Sequence, residues 1–254
     1  MSGYSALTHA TLRVREQAGV LFVQLHRPEA NNAIDAQLVA ELGNLLQLVE
    51  ADQTIRVFVL EGLPHVFCSG LDFNAFDSVP QADVFALFKQ LANSSKIVVS
   101  QVRGKVTAGG IGLVAASDFV FAETGATFAL SELLFGLLPA MVLPFLIPRI
   151  GAHKARQFAL STQAISAAEA HRWGLVDVCA DDINKPLRAH LRRWRRLSPK
   201  TVGQLKAYIG RLQPLDPATE TLAVNTITSL LADEQISEGI RRYAAEGIPP
   251  WSRT

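Results

Sequence analysis

The chain has 254 residues, of which 49% are hydrophobic and 19% are charged, and its formal net charge is +1. This length and apolar content allow a substantial core, and the near-neutral charge favours neither nucleic acid nor a membrane surface as a partner. Two cysteines do not suggest a disulfide framework. Because no signal-peptide pattern precedes the first strands and the longest apolar run, residues 133–147, is broken by prolines, we expect a cytoplasmic protein that does not cross a membrane.

The first sixty residues predict a hairpin, a turn, a helix and a strand. Residues 11–15 and 20–26 alternate apolar and polar side chains on either side of a short polar break. Residues 27–32 form a turn, and Asp35 can cap a helix whose leucines and valines recur at helical spacing as far as Val49. A buried strand is expected at residues 57–60.

The following segments alternate between strand and helix and then become helical. Residues 97–102 and 119–122 predict strands, with helices near 84–91 and 110–116. This alternation indicates an α/β fold of stacked ββα units, not a β-sandwich. Beyond Pro139 we expect helices near 142–150, 153–161, 166–173, 184–196, 199–212 and 218–246.

Glycines follow two of the predicted strands. Residues 104–112 carry four glycines before a short apolar helix, and residues 67–73 read Phe-Cys-Ser-Gly-Leu-Asp-Phe. The first amides of a helix lack intrahelical partners, and glycine lets a ligand approach the backbone. A tight turn would explain either segment alone. Two such strand ends together supply the paired amides that an oxyanion hole for a thioester carbonyl requires.

One carboxylate stands in an apolar setting further along the chain. Glu132 lies in the segment Phe-Ala-Leu-Ser-Glu-Leu-Leu-Phe-Gly, residues 128–136. The side chain is either desolvated for chemistry or directed towards solvent. Desolvation would raise its pKa, so that the group could act as both acid and base near neutral pH.

Four segments, residues 27–33, 67–72, 104–118 and 173–177, together resemble the crotonase family of enoyl-CoA hydratases and isomerases. The resemblance covers roughly residues 11–250. It implies a right-handed spiral of ββα units over residues 1–195 and a C-terminal helical trimerisation region over residues 196–254. Homotrimers, or dimers of trimers, are therefore expected.

The resemblance also implies the residues of the site. The oxyanion amides would belong to Leu71 and Gly109, with Glu132 as the catalytic acid/base. Gly112 occupies the position of the family's first catalytic glutamate, which argues against simple hydration because hydratases generally use two carboxylates. The phosphopantetheine arm of the substrate would pass along two loops, and the predicted substrate-binding residues are Arg27, Ala33, Cys68, Ser69, Gly70, Asp72 and Gly110.

Residues 63–70 and 130–147 are similar to the crotonases of polyketide β-branching cassettes. Of the two kinds, the resemblance is to the dehydratase that converts 3-hydroxy-3-methylglutaryl on an acyl carrier protein to 3-methylglutaconyl, and retention of Glu132 favours it over the decarboxylase. No metal or redox cofactor is implied. Two alternatives stay open: an enoyl-CoA isomerase or atypical hydratase acting on coenzyme A esters, and a non-catalytic scaffold that binds acyl carriers or partner proteins.

Several other polar residues have both a structural and a functional interpretation. His65 and Asp118 read more simply as a solvated and a structural group, and Asp72 could brace its own loop. Lys105 and Arg149 could bind a substrate carboxylate or form surface ion pairs. A basic stretch could be a solvated helix face or a docking surface for an acidic partner such as an acyl carrier protein; it comprises Arg188, Arg192, Arg193, Arg195 and Arg196.

Overall fold

A computed structural model describes Tyr4 and residues 8–251 of the chain. The strands are β1 (Leu12–Gln17), β2 (Val20–Leu25), β3 (Val57–Glu61), β4 (Val66–Cys68), β5 (Ile97–Val102), β6 (Lys105–Thr107), β7 (Phe119–Glu123), β8 (Thr127–Ala129), β9 (Ile165–Ser166) and β10 (Val178–Ala180). The α-helices are α1 (Ala36–Ala51), α2 (Gln81–Asn93), α3 (Gly109–Ala115), α4 (Leu143–Ser161), α5 (Ala167–Trp173), α6 (Asn184–Trp194), α7 (Pro199–Leu212), α8 (Pro217–Ala232) and α9 (Glu234–Glu246). Short 3-10 helices span Pro28–Ala30, Phe76–Ser78 and Glu132–Phe135.

The strands form two sheets that the chain visits in turn. The larger sheet has the order β1-β2-β3-β5-β7-β10, and the smaller has the order β4-β6-β8-β9. Successive passes β3–β4, β5–β6 and β7–β8 each add one parallel strand to each sheet, and α2, α3 and α4 follow them. The predicted spiral of ββα units is confirmed.

The two faces of the larger sheet carry different helices. The main core cluster joins one face to α1, α2, α3 and α4. On the other face, Leu187, Leu191 and Trp194 of α6 pack against Val59 and Val99 of the central strands. Burial of one apolar side chain contributes about 1.5–3 kcal/mol to folding stability. The helices on both faces of the sheet are therefore held by apolar packing.

Local signals in the sequence set the ends of the helices. The Asp35 side chain accepts a hydrogen bond from the Leu38 amide (2.7 Å) and so begins α1 as predicted. Gly151 interrupts α4 with φ 78° and ψ 153°, which agrees with the prediction of separate helices at 142–150 and 153–161. The prediction of a single helix over 218–246 is wrong, because the chain breaks at Asp233. The Asp233 side chain accepts a hydrogen bond from the Ile236 amide (3.1 Å) and so caps α9.

The C-terminal helices contribute to the main core. Ala223 and Ile227 of α8 and Ile236 and Ile240 of α9 are buried in it. The proposed division at residue 195 stays a prediction. Within the part of the chain that the structure describes, no helix is both long and apolar enough to cross a membrane.

Candidate active site

A cavity of about 670 Å³ opens between the loops that follow β4 and β6, the 3-10 helix Glu132–Phe135, and α2, α8 and α9. Its walls are mainly apolar. Six of the residues that the sequence singled out line it: Ala33, Ser69, Leu71, Asp72, Gly109 and Glu132.

The Leu71 amide is directed into the cavity by the pairing of its neighbours. The Ile34 amide donates to the Gly70 carbonyl oxygen (2.7 Å), and the Asp72 amide donates to the Ile34 carbonyl oxygen (2.9 Å). In a parallel bridge such as Ile34–Leu71, the intervening N–H points away from the partner strand. The Leu71 N–H is therefore free to bind a ligand oxygen.

The Gly109 amide lies close to this position. Gly109 is the first residue of α3, whose first amides have no intrahelical acceptor. A β-carbon added at Gly109 would lie 3.9 Å from the Leu71 nitrogen. Ala108 precedes it with φ 47° and ψ −121°, a strained backbone conformation of the kind that collects at functional sites. Two amides on separate loops thus lie close together, and their role as an oxyanion hole stays a prediction.

Gly70 makes this approach of the two loops feasible. Its φ of +92° suits glycine, and an added β-carbon would lie 2.7 Å from the Ala108 β-carbon and 3.2 Å from the Gly109 nitrogen. Gly110 likewise allows α3 to lie close to the end of β4, since an added β-carbon would lie 2.6 Å from the Cys68 carbonyl oxygen. Both glycines act through packing behind the cavity wall.

Glu132 begins a 3-10 helix that forms another part of the cavity wall. Gly136 ends this helix in the left-handed conformation with φ 73°. The Phe135 ring makes edge contacts with Phe73 and Tyr243, each with a centroid separation of 4.8 Å. This aromatic packing fixes the Glu132 side chain relative to the cavity.

The Glu132 carboxyl group is buried and only partly paired. Its residue is 9% exposed, and Oε2 has no hydrogen-bond partner among the described residues. Burial raises the pKa of Glu132 to about 7, although the backbone amides of Glu132 and Ser131 partly offset that effect. The group can therefore accept and return a proton near neutral pH. The sequence left open whether Glu132 is desolvated or directed towards solvent, and the structure shows that it is desolvated.

Phe88 occupies the space beside Gly112. A β-carbon built on Gly112 would lie 2.3 Å from the Phe88 Cε2 and 2.5 Å from its Cζ. Phe88 is fully buried, lines the cavity and packs against the Phe145 ring. A glutamate at position 112 would collide with this ring, so the absence of a second carboxylate there is built into the packing.

Two other predicted substrate-binding residues, Arg27 and Cys68, also lie behind the wall. The Arg27 guanidinium contacts Asp35 and Asp72 at 3.0 Å each and donates to the Ala33 carbonyl oxygen (2.5 Å), so it braces the loops that line the cavity. Cys68 is fully buried, and burial raises the pKa of its thiol to about 12. Four of the predicted substrate-binding residues therefore do not line the cavity: Arg27, Cys68, Gly70 and Gly110.

The remaining polar candidates do not line the cavity either. Asp118 accepts hydrogen bonds from the Val98 amide (2.7 Å) and pairs with Lys206 (2.6 Å), which supports its structural interpretation. Arg149 pairs with Asp177 (2.8 Å), and His65 and Lys105 are exposed. The basic residues of α6 lie across the larger sheet from the cavity.

Phe88 and Tyr243 are cavity residues that the sequence did not reveal. Phe88 was recognised only as part of an apolar helical stripe, and Tyr243 belongs to a helix more than a hundred residues after Glu132. The one sequence signal that could have pointed to Phe88 was Gly112, which stands where the family has a glutamate. A small residue at this position leaves room for a neighbouring side chain.

Two neighbouring amides and a buried carboxyl group thus line one cavity, an arrangement that suits binding of a carbonyl oxygen and transfer of a proton. The chain belongs to the enoyl-CoA hydratase/isomerase family, whose model matches residues 15–254. Among the described residues, no three His, Cys, Asp or Glu side chains cluster as a metal site.

Individual relatives extend this result. The chain is 41% identical to the bacillaene synthase dehydratase PksH of Bacillus subtilis, over 96% of this chain and 98% of the relative. A crystal structure of PksH from Bacillus subtilis, a candidate polyketide biosynthesis enoyl-CoA hydratase, superposes with a TM-score of 0.90 at 40% identity, covering 94% of this chain and 99% of that one. The mevalonyl-coenzyme A hydratase SIDH of Beauveria bassiana is 29% identical over 92% of each chain.

Proposed function

We propose that this protein is a dehydratase that removes water from a β-hydroxy acyl thioester, preferably converting 3-hydroxy-3-methylglutaryl on an acyl carrier protein to 3-methylglutaconyl. The observation that carries this proposal is the buried carboxyl group of Glu132, whose Oε2 has no hydrogen-bond partner among the described residues and which shares a cavity with the amides of Leu71 and Gly109. Phe88 fills the space that a glutamate side chain at position 112 would need.

The reaction follows from these groups. The Leu71 and Gly109 amides bind the thioester carbonyl oxygen and stabilise the enolate, where one such donor typically contributes about 3 kcal/mol to the transition state. The Glu132 carboxylate removes the α-proton. The protonated Glu132 then transfers that proton to the β-hydroxyl, the C–O bond breaks, water leaves, and the enolate electrons form the double bond. Glu132 ends as the carboxylate with which it began.

The relatives support the substrate class. One relative that matches nearly the whole chain is a dehydratase of a polyketide synthase, in which acyl groups travel on carrier proteins. Another is a hydratase named for mevalonyl-coenzyme A, a thioester whose acyl group carries a 3-hydroxyl and a 3-methyl branch. The first supports loss of water from a β-hydroxy thioester in polyketide synthesis, and the second supports a branched, tertiary β-hydroxy group as the substrate of this chain.

A carrier protein must approach the mouth of the cavity so that its phosphopantetheine arm can deliver the acyl group. The loops that contain Ala33 and Ser69 lie at the cavity and are the proposed path of this arm. The basic face of α6 lies on the opposite side of the larger sheet, which disfavours it as the docking surface for an arm that enters here.

An enoyl-CoA isomerase is the second candidate, because one carboxylate that moves a proton beside an enolate also suffices to shift a double bond. The buried carboxyl group of Glu132 therefore serves both candidates. They differ in whether a β-hydroxyl leaves and in whether the substrate is bound to a carrier protein or to coenzyme A.

The deciding experiment is intact-protein mass spectrometry of an acyl carrier protein loaded with 3-hydroxy-3-methylglutaryl. We expect the wild-type protein to remove the mass of one water and Glu132→Gln to remove none. Further loss of carbon dioxide would instead indicate a decarboxylase, and turnover of enoyl-CoA alone would indicate the isomerase. A Glu132→Gln variant that binds the thioester and supports the pathway normally would indicate a non-catalytic scaffold.

A further inference from the structure

The charge of the chain is unevenly distributed along the sequence. Residues 183–215 contain nine lysines and arginines and no aspartate or glutamate, whereas the rest of the chain contains 15 lysines and arginines against 23 aspartates and glutamates. The net charge of +1 therefore combines one strongly basic segment with an otherwise acidic molecule. Such a separation of charge attracts an acidic partner to one surface and repels it from the others.

Most of the basic segment's cations lie on α6 and the turn that follows it. Leu187, Leu191 and Trp194 of this helix pack on the larger sheet. At about 100° per residue, the side of the helix that faces away from these three is the side that carries the cations. This basic face of α6 comprises five exposed residues: Lys185, Arg188, Arg192, Arg193 and Arg196.

The basic face of α6 is not neutralised by its own chain. Within the part of the chain that the structure describes, no ion pair includes any of its five residues. Only Arg188 acts on a nearby carboxylate, since hydrogen bonds from Asn184 and, more weakly, the charge of Arg188 lower the pKa of Asp182. The cations towards the C-terminal end of the helix therefore keep their full charge for a partner.

The chemistry of this face favours a protein partner over a nucleic acid or a membrane. The rings of His190 and Trp194 pack against Phe119 and Phe121, so the face presents no ring on which a base could stack. A helix that lies in a membrane surface needs apolar side chains free to insert, whereas α6 buries its own against the sheet. A long polyanion would also meet the acidic remainder of the molecule. A compact acidic surface fits best.

We propose that the basic face of α6 docks an acidic α-helix of a partner protein, on the side of the larger sheet opposite the cavity. Arg188, Arg192 and Arg196 follow one another every four residues, which is about 6 Å along a helix. Carboxylates three and four residues apart on a facing helix recur at similar intervals, so several charge pairs can form together. The inference goes beyond the proposed function and does not depend on it.

The test measures binding of a defined acidic helix. The probe is a fluorescein-labelled, alanine-rich peptide of about 20 residues, long enough to be helical, with glutamates three and four residues apart along one face. By fluorescence anisotropy at low salt we expect the wild-type protein to bind it, and the double substitution Arg192→Glu with Arg196→Glu to weaken binding about tenfold or more, because attraction becomes repulsion. Added salt should weaken wild-type binding. Arg192→Gln with Arg196→Gln should give an intermediate loss, which guards against misfolding of the glutamate variant.

Lys154→Glu with Arg156→Glu is the matched control. Both residues are exposed on α4, which packs on the other face of the larger sheet, and the change in charge is the same. This variant should bind the peptide as the wild type does. Equal losses in the two glutamate variants, equal binding of a peptide with the same residues in scrambled order, or no binding by the wild type would overturn the inference. Tighter binding of a single-stranded oligonucleotide or of anionic lipid vesicles would also overturn it and assign the face to that class of partner.

Discussion

Glu132 shows how a single residue can set the conditions under which this site works. Burial penalises the charged form of this carboxyl group and so raises its pKa to about 7. The aromatic packing of Phe135 on Phe73 and Tyr243 keeps the group in that environment. Burial of this group costs stability near neutral pH and leaves a carboxyl group whose pKa suits the proton transfer that we propose.

The rate of elimination should depend on the ionisation of Glu132. Because the carboxylate must remove the α-proton and burial raises the pKa of Glu132 to about 7, we expect kcat/KM to rise with pH and to level off above about pH 7. Below that value it should fall by about tenfold per unit. The measurement is a pH–rate profile with the carrier-bound substrate, and a flat profile from about pH 5.5 to 8 would contradict the assignment.

The same ionisation should affect folding stability. The pKa of Glu132 is about 7 when folded against an ordinary value of 4.5, so between these values the folded state binds the extra proton. The free energy of unfolding should therefore fall as pH rises through this window, by about 3 kcal/mol from this group. Urea unfolding of the wild type and Glu132→Gln across the window isolates the effect, because the variant lacks the titrating group. Parallel curves for the two proteins would contradict the prediction.

Gly112→Ala tests the contact with Phe88 in its simplest form. A β-carbon at 2.3 Å from the ring forces the ring or α3 to move, and overpacking of this kind usually costs about 1–3 kcal/mol. Urea unfolding should show that loss. Gly125→Ala is the control, since nothing lies within 4 Å of its added β-carbon. Equal stability of the two variants would mean that the Phe88 ring can move aside freely.

At the scale of elements, the site depends on how closely the loop after β4 approaches the start of α3. Gly70→Ala should separate the two, because its methyl group would meet the Ala108 β-carbon at 2.7 Å and Gly70 has a φ of +92°. With the amides of Leu71 and Gly109 no longer aligned, we expect kcat to fall about 100-fold or more. Kinetics of elimination measure it, with Gly125→Ala as control. A variant that loses only stability and keeps kcat would show that the loops tolerate separation.

The elements also show what the sequence can and cannot predict. The hairpin, the Asp35 cap and the glycine segments are local signals, so they were recognised from neighbouring residues alone, and the family resemblance aligned Leu71, Gly109 and Glu132 before the structure placed them at one cavity. The break at Asp233 was missed because apolar residues continue across it. The contact between Phe88 and Gly112 joins two helices, and only the three-dimensional path of the spiral brings them together.

In the molecule as a whole, residues near the C-terminal end of the described chain pack against the cavity wall that carries Glu132. An added β-carbon at Gly136 would lie 3.1 Å from the Trp251 ring and 3.2 Å from Ile236, so both pack over the end of the 3-10 helix that Glu132 begins. Tyr243 of α9 lines the cavity as well. The C-terminal helices thus complete the cavity that the spiral begins.

The same region leaves a large apolar surface unburied. Leu205, Tyr208 and Leu212 are 57%, 61% and 64% exposed, and their spacing places them along one side of α7. Leu222 of α8 is 69% exposed. An exposed apolar stripe of this kind commonly marks an interface between proteins, and the family resemblance proposes a second and a third copy of this chain as the occupants.

We therefore expect a homotrimer, or two paired trimers, whose interface includes the α7 stripe. Sedimentation equilibrium should give three or six times the chain mass of 27.6 kDa. Substituting both Leu205→Glu and Tyr208→Glu should lower the mass towards that of one chain, because burying unpaired carboxylates at an apolar interface is unfavourable. Lys200→Glu, at another exposed position of α7, adds a carboxylate away from the stripe and should leave the mass unchanged. A wild-type mass of one chain would remove the trimer, and the exposed stripe would then need another partner to cover it.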